Sequence, residues 1–459
     1  MDSASIPARK AAFVRDWTKG SIIRNLFGLS WPITSSFGLY MVGSLVDMLW
    51  VSRLGSAAIA AVGAAGMALW LGLSAVMCLT VGTRALIARF IGAGDNDAAD
   101  DVARQALLVA GAYGLLVAAG SAVFAAPIIR LFGVEETVVA EGAVYLRIAS
   151  FSALSSSIWM VLEATMQASG DVVRPMLMTI SSKVVHMCIE PLLIFGWAFF
   201  PAMGIGGAAV TIAVTETVGM AAGLFIMLTG RTRLRLSLRG LSIDLKTMWR
   251  IIRIGIPALL MNVQFNFASV LFMRIIAPFG TLAVAAQSLY LRVEQIVLAP
   301  MMGFGLAAAV LVGQNLGARQ PQRAERSGWM AVSLAEGVMV TLSAVAIIFA
   351  PQIVGLFDAE PGLVKIAVPF LRIAAAGYVL PAAANILQNC CNGAGDTLPP
   401  TLGTLFTTWA VQIPFALWLP HVGGLGVLGI RWAMVAGWAV SAAIFVVYFK
   451  LGRWKRKRV

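Results

Sequence analysis

The chain reads as an all-α integral membrane protein of twelve transmembrane helices arranged as two pseudo-twofold-related six-helix bundles. Two observations predict this: a composition poor in polar residues and an internal duplication. Of 459 residues, 59% are hydrophobic and only 12% charged, with a mean hydropathy of +0.87; that is too few polar side chains to coat a soluble globule of this size. Motifs also recur at a constant separation of 225 residues: Pro32 and Pro257, Gly55 and Gly280, Gly92 and Gly317, Leu146-Arg147-Ile148-Ala149 and Leu371-Arg372-Ile373-Ala374, Gly170-Asp171 and Gly395-Asp396, Pro175 and Pro400. A spacing that does not slip requires equal helix and loop lengths in both halves.

A spanning helix needs about 20 apolar residues. In the first half, runs of that length fall at 28–52, 57–83, 105–129, 143–168, 175–200 and 205–229; in the second, at 251–277, 282–312, 327–350, 364–391, 398–419 and 424–450. The runs are continuous rather than alternating, which selects helices over barrel strands. Residues 1–24 form a polar N-terminal segment, 25–229 the first lobe, 230–248 a basic linker, 249–450 the second lobe and 451–459 a basic tail. With an even number of spans in each repeat, both repeats enter the membrane from the same side. They are then related by an axis along the membrane normal, and rocking one bundle against the other would give alternating access.

The net charge of +13 is explained by its placement. Basic residues crowd the N-terminus (Arg9, Lys10, Arg15, Lys19, Arg24), the linker (Arg231, Arg233, Arg235, Arg239, Lys246), the loop at Arg319, Arg323 and Arg326, and the tail from Arg453 to Arg458. Alternate loops carry few, as from Phe199 to Gly204, or are acidic, as at Glu135-Glu136 and Asp358 to Glu360. This positive-inside pattern puts both termini in the cytoplasm and makes nucleic acid an unneeded partner. Residues 1–25 are polar and basic, so no cleavable signal peptide is expected. Cys78, Cys188, Cys390 and Cys391 lie in or at the edges of apolar runs with no ligand-like spacing and read as packing residues. There is no phosphate-cradling loop and no metal or nucleophile constellation. An enzyme or a purely structural scaffold is therefore disfavoured, no cofactor is expected, and any transport is passive or driven by an ion gradient.

Charged groups inside apolar spans are costly, about 2.5–3.5 kcal/mol for Asp at a helix centre, and so are informative. The candidates are Asp47, Glu163, Glu190, Glu216, Arg274, Arg292, Glu294 and Glu336. Comparing the repeats sorts them, because Asp47 has Phe272 as its duplicate, His186 has Val411 and Glu190 has Phe415. One lobe keeps two carboxylates and an imidazole where the other is apolar, which is the pattern of a coupling-ion site confined to one bundle. His186 and Glu190 share a helix face, and two carboxylates facing one cavity raise one another's proton affinity. Glu163, opposite Gln388 in the duplicate, fits a polar packing role, and Glu294 with Arg274 is a candidate structural pair. Pro32 and Pro257 each remove a helix hydrogen bond, giving equivalent bends in the first span of each lobe. Phe37, Tyr40, Met41, Met261, Gln264, Phe265 and Asn266 are the candidates for an adaptable substrate cavity.

The run Leu29-Ser30-Trp31-Pro32-Ile33 leading to Val46-Asp47-Met48 and Arg53-Leu54-Gly55 resembles the first helix of the multidrug and toxic compound extrusion (MATE) family. Ile91-Gly92-Ala93-Gly94-Asp95, Ala168-Ser169-Gly170-Asp171 with Pro175, Glu190-Pro191-Leu192-Leu193-Ile194-Phe195, Gly204 to Ala209 and Val312 to Arg319 extend the resemblance from about residue 20 to 450. It implies an exporter of amphipathic, often cationic, organic molecules in exchange for protons or sodium ions. The family's ion site uses an Asp on the first helix, matched by Asp47, and an Asn and an Asp four residues apart on the fifth, where this chain has His186 and Glu190. A family Thr on the sixth helix has no exact counterpart, with Thr211 and Thr215 near it. His186 puts a titratable group where an amide oxygen would bind sodium, which favours protons. One sodium-coupled branch carries further carboxylates on helices 7 and 10; this chain has Phe265 and Pro381 at about those positions and is more similar to the DinF-like, one-lobe arrangement.

The sequence thus points to a monomeric, proton-coupled multidrug exporter of a bacterial inner membrane. Protonation of Asp47, with Glu190 and His186 sharing the charge, would expel a cationic substrate that competes for the same carboxylates. Two alternatives stay open. One is a sodium-coupled exporter with the ion at Asp47 and Glu190. The other is a lipid-linked saccharide flippase of the same superfamily, for which Lys183, Arg274 and Arg292 would be the pyrophosphate-holding cations.

Overall fold

The computed structural model describes residues 16–196, 201–236, 242–356 and 360–457. The basic residues Arg9, Lys10, Arg15, Arg239 and Arg458, and Phe199 and Asp358 of the alternate loops, lie outside this set. The helices are α1 (Ile22–Ser52), α2 (Ser56–Ala93), α3 (Asn96–Val123), α4 (Ala125–Arg130), α5 (Glu136–Ser169), α6 (Val173–Phe195), α7 (Ile205–Leu228), α8 (Leu245–Ile276), α9 (Thr281–Gly317), α10 (Pro321–Ile348), α11 (Ala350–Gly355), α12 (Pro361–Gly377), α13 (Val379–Gly393), α14 (Leu398–Phe406), α15 (Ile413–Trp418) and α16 (Val427–Leu451). A π-helical turn, Thr407–Gln412, joins α14 to α15. Among the described residues there is no strand.

Among the described residues, ten segments are long and apolar enough to cross a membrane, and the α12–α13 pair, bent by 47°, makes an eleventh. The twelfth predicted span is α1, 31 residues long, whose apolarity is diluted by Ser30, Thr34, Ser35, Ser36, Ser44 and Asp47. Within the described residues, each apolar run read from the sequence therefore falls on a helix or a broken helix pair. The break at Tyr378 and the π turn were not visible in the sequence, since neither interrupts the apolar run.

The duplication is carried into backbone geometry. Ser56 and Thr281, Asn96 and Pro321, Ala125 and Ala350, Glu136 and Pro361, and Val173 and Leu398 each open a helix, 225 residues apart. Gly55 and Gly280 precede their helices at φ 107° and 98°, and Gly170 and Gly395 follow theirs at φ 93° and 79°. In these left-handed conformations a Cβ would be strained, and the following amides close the turn: Asp171 N–H donates to Met166 O at 3.0 Å and Asp396 N–H to Cys391 O at 2.9 Å. The last helix slips: Gly204 and Gly426, alike at φ 54° and 51°, are three residues closer than the repeat.

The chain forms two compact units. One is built mainly of Leu39–Arg253, so it includes the first turns of α8; the other holds Ile22–Gly38, Ile254–Leu316 and the chain from Gln320 onward. In the first unit α5 is the central helix. Its buried Ser150, Ser152 and Ser157 return their hydroxyls to carbonyls three or four residues back, so small polar residues can be buried without loss of hydrogen bonding. Small residues let neighbours close on it: a Cβ at Gly219 of α7 would lie 0.9 Å from Trp159 Cζ3, and one at Gly114 of α3 2.8 Å from Ser157 Oγ. In the second unit α9 is deeply enclosed, with 72% of its apolar 18-residue stretch buried. Its Gly303 accommodates Thr34 of α1, whose Oγ1 a Cβ would meet at 1.9 Å.

Candidate ion-coupling site

Within the first unit, α1, α6 and α7 bring four polar side chains together. α1 supplies Asp47, α6 supplies His186 and Glu190, and α7 supplies Thr215. His186 and Glu190, four residues apart and therefore on one helix face, are each 1% exposed, as a face packed against neighbouring helices must be. Asp47 keeps 29% of its side chain exposed and gives the group its opening. Pro191 follows Glu190 inside α6, so the turn carrying Glu190 lacks one backbone donor.

His186 Nδ1 lies 3.1 Å from Thr215 Oγ1, and that hydroxyl donates its hydrogen to Thr211 O at 2.8 Å. A hydroxyl has one hydrogen, so toward the imidazole Thr215 is an acceptor. The network therefore assigns the neutral ring its hydrogen on Nδ1 and a lone pair on Nε2. That lone pair faces Asp47 Oδ1 at 3.2 Å. Ligand atoms of Asp47, His186 and Glu190 all lie within 4.8 Å of one another. Among the described residues, Asp47 Oδ1, His186 Nε2 and Glu190 Oε2 are buried without a hydrogen-bond partner. Three buried acceptors converging with no donor between them is a costly arrangement, and a proton or a cation placed among them relieves it.

The cluster offers one imidazole nitrogen among its three ligand atoms, whereas hard cations such as sodium take oxygen ligands.

Tyr145 of α5, 3% exposed, is within electrostatic reach of both Asp47 and Glu190 and was missed in the sequence. The signal existed, since its duplicate at the repeat spacing is Phe370, another polar-for-apolar disagreement between copies. Thr215, noted only as near the family position, orients the ring. Glu163 accepts from Gln167 Nε2 at 2.9 Å, and Gln167 Oε1 accepts from Arg84 at 3.2 Å, a polar packing network.

The remaining candidates fall as follows. Tyr40 and Met41 belong to the first unit, and Phe37, Met261, Gln264, Phe265 and Asn266 to the second. Phe37, Tyr40 and Phe265 are exposed. Met261 Sδ accepts from Gln388 at 2.9 Å, Asn266 donates to Asn262 O at 2.9 Å, and Gln264 is buried with its Oε1 unpartnered. Pro32 and Pro257 lie inside α1 and α8. The expected Glu294–Arg274 pair is absent among the described residues: Tyr290 OH donates to Glu294 at 2.7 Å, while Arg274, in the last turn of α8, lines a surface cleft with Phe279 and His421. One charge went unnoticed in the sequence. Arg431 of α16 is fully buried, stacked 3.4 Å from the Tyr290 ring and 4.1 Å from that of Phe370, and hydrogen-bonded to Gln287.

The MatE family model matches this chain twice, over residues 32–192 and 257–418, each match beginning at one of the duplicated prolines. The chain belongs to the MatE family. Members of this family are transporters rather than enzymes, multi-pass proteins of the lipid bilayer that carry small organic substrates. Among its relatives, "Probable multidrug resistance protein YoeA" of Bacillus subtilis (strain 168) is 27% identical over 450 residues, 96% of each chain. "Multidrug resistance protein NorM" of Burkholderia vietnamiensis is 30% identical over 336 residues, 71% of each chain. In fold, a MOP superfamily transporter from Pyrococcus furiosus superposes with a TM-score of 0.89 at 24% identity, covering 96% of this chain and 98% of that one. The all-helical, two-lobed fold class is that of MATE transporters, and this MatE chain is a multidrug-type efflux transporter.

Proposed function

We propose that the chain exports amphipathic organic cations in exchange for protons through the Asp47–His186–Glu190 cluster of its N-terminal lobe. The observation that carries this reading is the convergence of three buried atoms, Asp47 Oδ1, His186 Nε2 and Glu190 Oε2, that have no hydrogen-bond partner among the described residues. A proton entering past Asp47 has two carboxylates and an imidazole lone pair to share it. Once deprotonated, the cluster carries negative charge beside Tyr40 and attracts a cationic substrate; reprotonation removes that charge and releases the substrate. Antiport follows because proton and drug compete for the same electrostatic field.

The nitrogen among the ligands supports protons over sodium. The DinF-like one-lobe arrangement is supported by the apolar Phe272, Val411 and Phe415 at the duplicate positions. The distribution of basic residues supports a bacterial inner membrane with both termini in the cytoplasm, and the cargo pathway needs only one copy of the chain. The test is efflux of ethidium from cells expressing the wild type or Asp47→Asn, with proton and sodium gradients collapsed separately. The expected result is loss of efflux in Asp47→Asn and on collapse of the proton gradient alone. Efflux retained by Asp47→Asn would remove that residue from the mechanism, and dependence on sodium alone would overturn the proton assignment.

A further inference from the structure

One charged group in the middle of the first unit has no place in the coupling cluster. Lys183 is the eleventh residue of the 23-residue α6, so at about 1.5 Å per residue neither helix end is within reach of its side chain. It sits three residues before His186 and seven before Glu190, on the same helix face. Among the described residues it makes no ion pair within 4 Å. Its ammonium instead lies over the ring of Tyr40, 4.7 Å from the centroid. The stem reaches that ring by lying against α1 where there is no side chain: a Cβ at Gly43 would be 3.3 Å from Lys183 Cδ and 3.5 Å from Met187 Cε. Glu216 of α7 and Glu190 are within its electrostatic reach.

An alkylammonium held over an aromatic ring, near carboxylates and within an apolar span, has the same chemistry as a bound lipophilic organic cation. We propose that Lys183 is a tethered surrogate cargo: its ammonium occupies the Tyr40 seat when no drug is present, and an organic cation must displace it to bind. The inference rests on the exporter reading above and adds a selectivity rule to it. A small hydrophilic cation gains nothing that Lys183 does not already supply, whereas a bulky cation with aromatic or aliphatic surface adds apolar burial and wins the seat. Favoured cargo is therefore a monovalent organic cation with a large apolar body. The seat is particular to this lobe, because Lys183, Tyr40 and Gly43 have Thr408, Phe265 and Ala268 at the duplicate positions.

The test is calorimetric binding of tetraphenylphosphonium, and separately of tetraphenylborate, to the full-length protein in nanodiscs. Wild type, Lys183→Met and Lys183→Arg are compared; Met keeps the stem against Gly43, and Arg keeps the charge. Removing the competitor is expected to tighten tetraphenylphosphonium about tenfold in Lys183→Met, equivalent to about 1.4 kcal/mol, with Lys183→Arg unchanged. Equal affinity in Lys183→Met and wild type would overturn the proposal, as would equal tightening in both variants. Loss of tetraphenylborate binding in Lys183→Met without a gain for the phosphonium would make Lys183 an anion receptor instead. If no variant binds the phosphonium while all retain wild-type thermal stability, the cation-exporter reading itself fails, and the surrogate role with it.

Discussion

Thr215→Val isolates the hydrogen bond that sets the sense of the imidazole. The substitution keeps the shape of the side chain and removes the hydroxyl at His186 Nδ1, 3.1 Å away. When the ring is protonated, both nitrogens carry hydrogen: Nε2–H finds Asp47 Oδ1, 3.2 Å away, and Nδ1–H needs Thr215. A hydrogen bond from a charged donor contributes about 1.5–3 kcal/mol; the neutral ring can recover part of its own loss by moving its hydrogen to Nε2, opposite Asp47. The protonated state is thus penalised more than the neutral one. A differential of about 1.4 kcal/mol is about a tenfold change in an equilibrium constant. Efflux driven by an imposed proton gradient should therefore fall about tenfold in Thr215→Val. Ethidium transport by proteoliposomes at a fixed proton gradient reads this out, with Thr215→Ser as the hydroxyl-retaining control. Wild-type transport in Thr215→Val, or an equal loss in Thr215→Ser, would refute the assigned tautomer and the role of Thr215.

Three further outcomes follow from the packing and the cluster. Gly219→Ala places a Cβ 0.9 Å from Trp159 Cζ3, so it should cost about 3 kcal/mol and lower the thermal unfolding midpoint; Trp159→Leu in the same chain should restore part of it, and a neutral Gly219→Ala would contradict the α5–α7 contact. Arg431→Ala removes the charge stacked on Tyr290 and Phe370 and strands Gln287, for about 3 kcal/mol, and should lower thermal stability while leaving the pH profile of efflux in place; a displaced pH profile would tie Arg431 to coupling. His186→Asn replaces the nitrogen ligand by an amide, so sodium should begin to stimulate efflux while proton dependence weakens. Unchanged ion preference in that variant, measured with the two gradients imposed separately, would refute the nitrogen-based account of selectivity.

Much of the fold was legible because membrane burial imposes a coarse and redundant signal. A helix that must satisfy its own backbone in an apolar medium shows as an apolar run whatever its neighbours are. Errors fell where that signal stops. The third helix begins at Asn96, ahead of the apolar run near 105, because the mostly polar Asn96 to Asp101 extend it; Asp95 caps them by accepting from Ala98 N at 3.0 Å. Arg431 was passed over because it stands near the start of an apolar run, where a charge ordinarily meets water. Glu294 was assigned an arginine on the basis of charge, and its partner is the hydroxyl of Tyr290, one turn away.

By itself the sequence determined the membrane class, the helix count, the duplication and the three positions where an ionisable residue in one copy faces an apolar one in the other. These are properties of composition and spacing along the chain. Only the tertiary structure decided that Asp47 meets His186 and Glu190 across α1 and α6, that Thr215 turns the lone pair of His186 toward Asp47, and that Lys183 rests on Tyr40. These facts depend on helix rotation and on the direction of individual hydrogen bonds, and a few degrees or one hydrogen decides them. An apolar run leaves both undetermined.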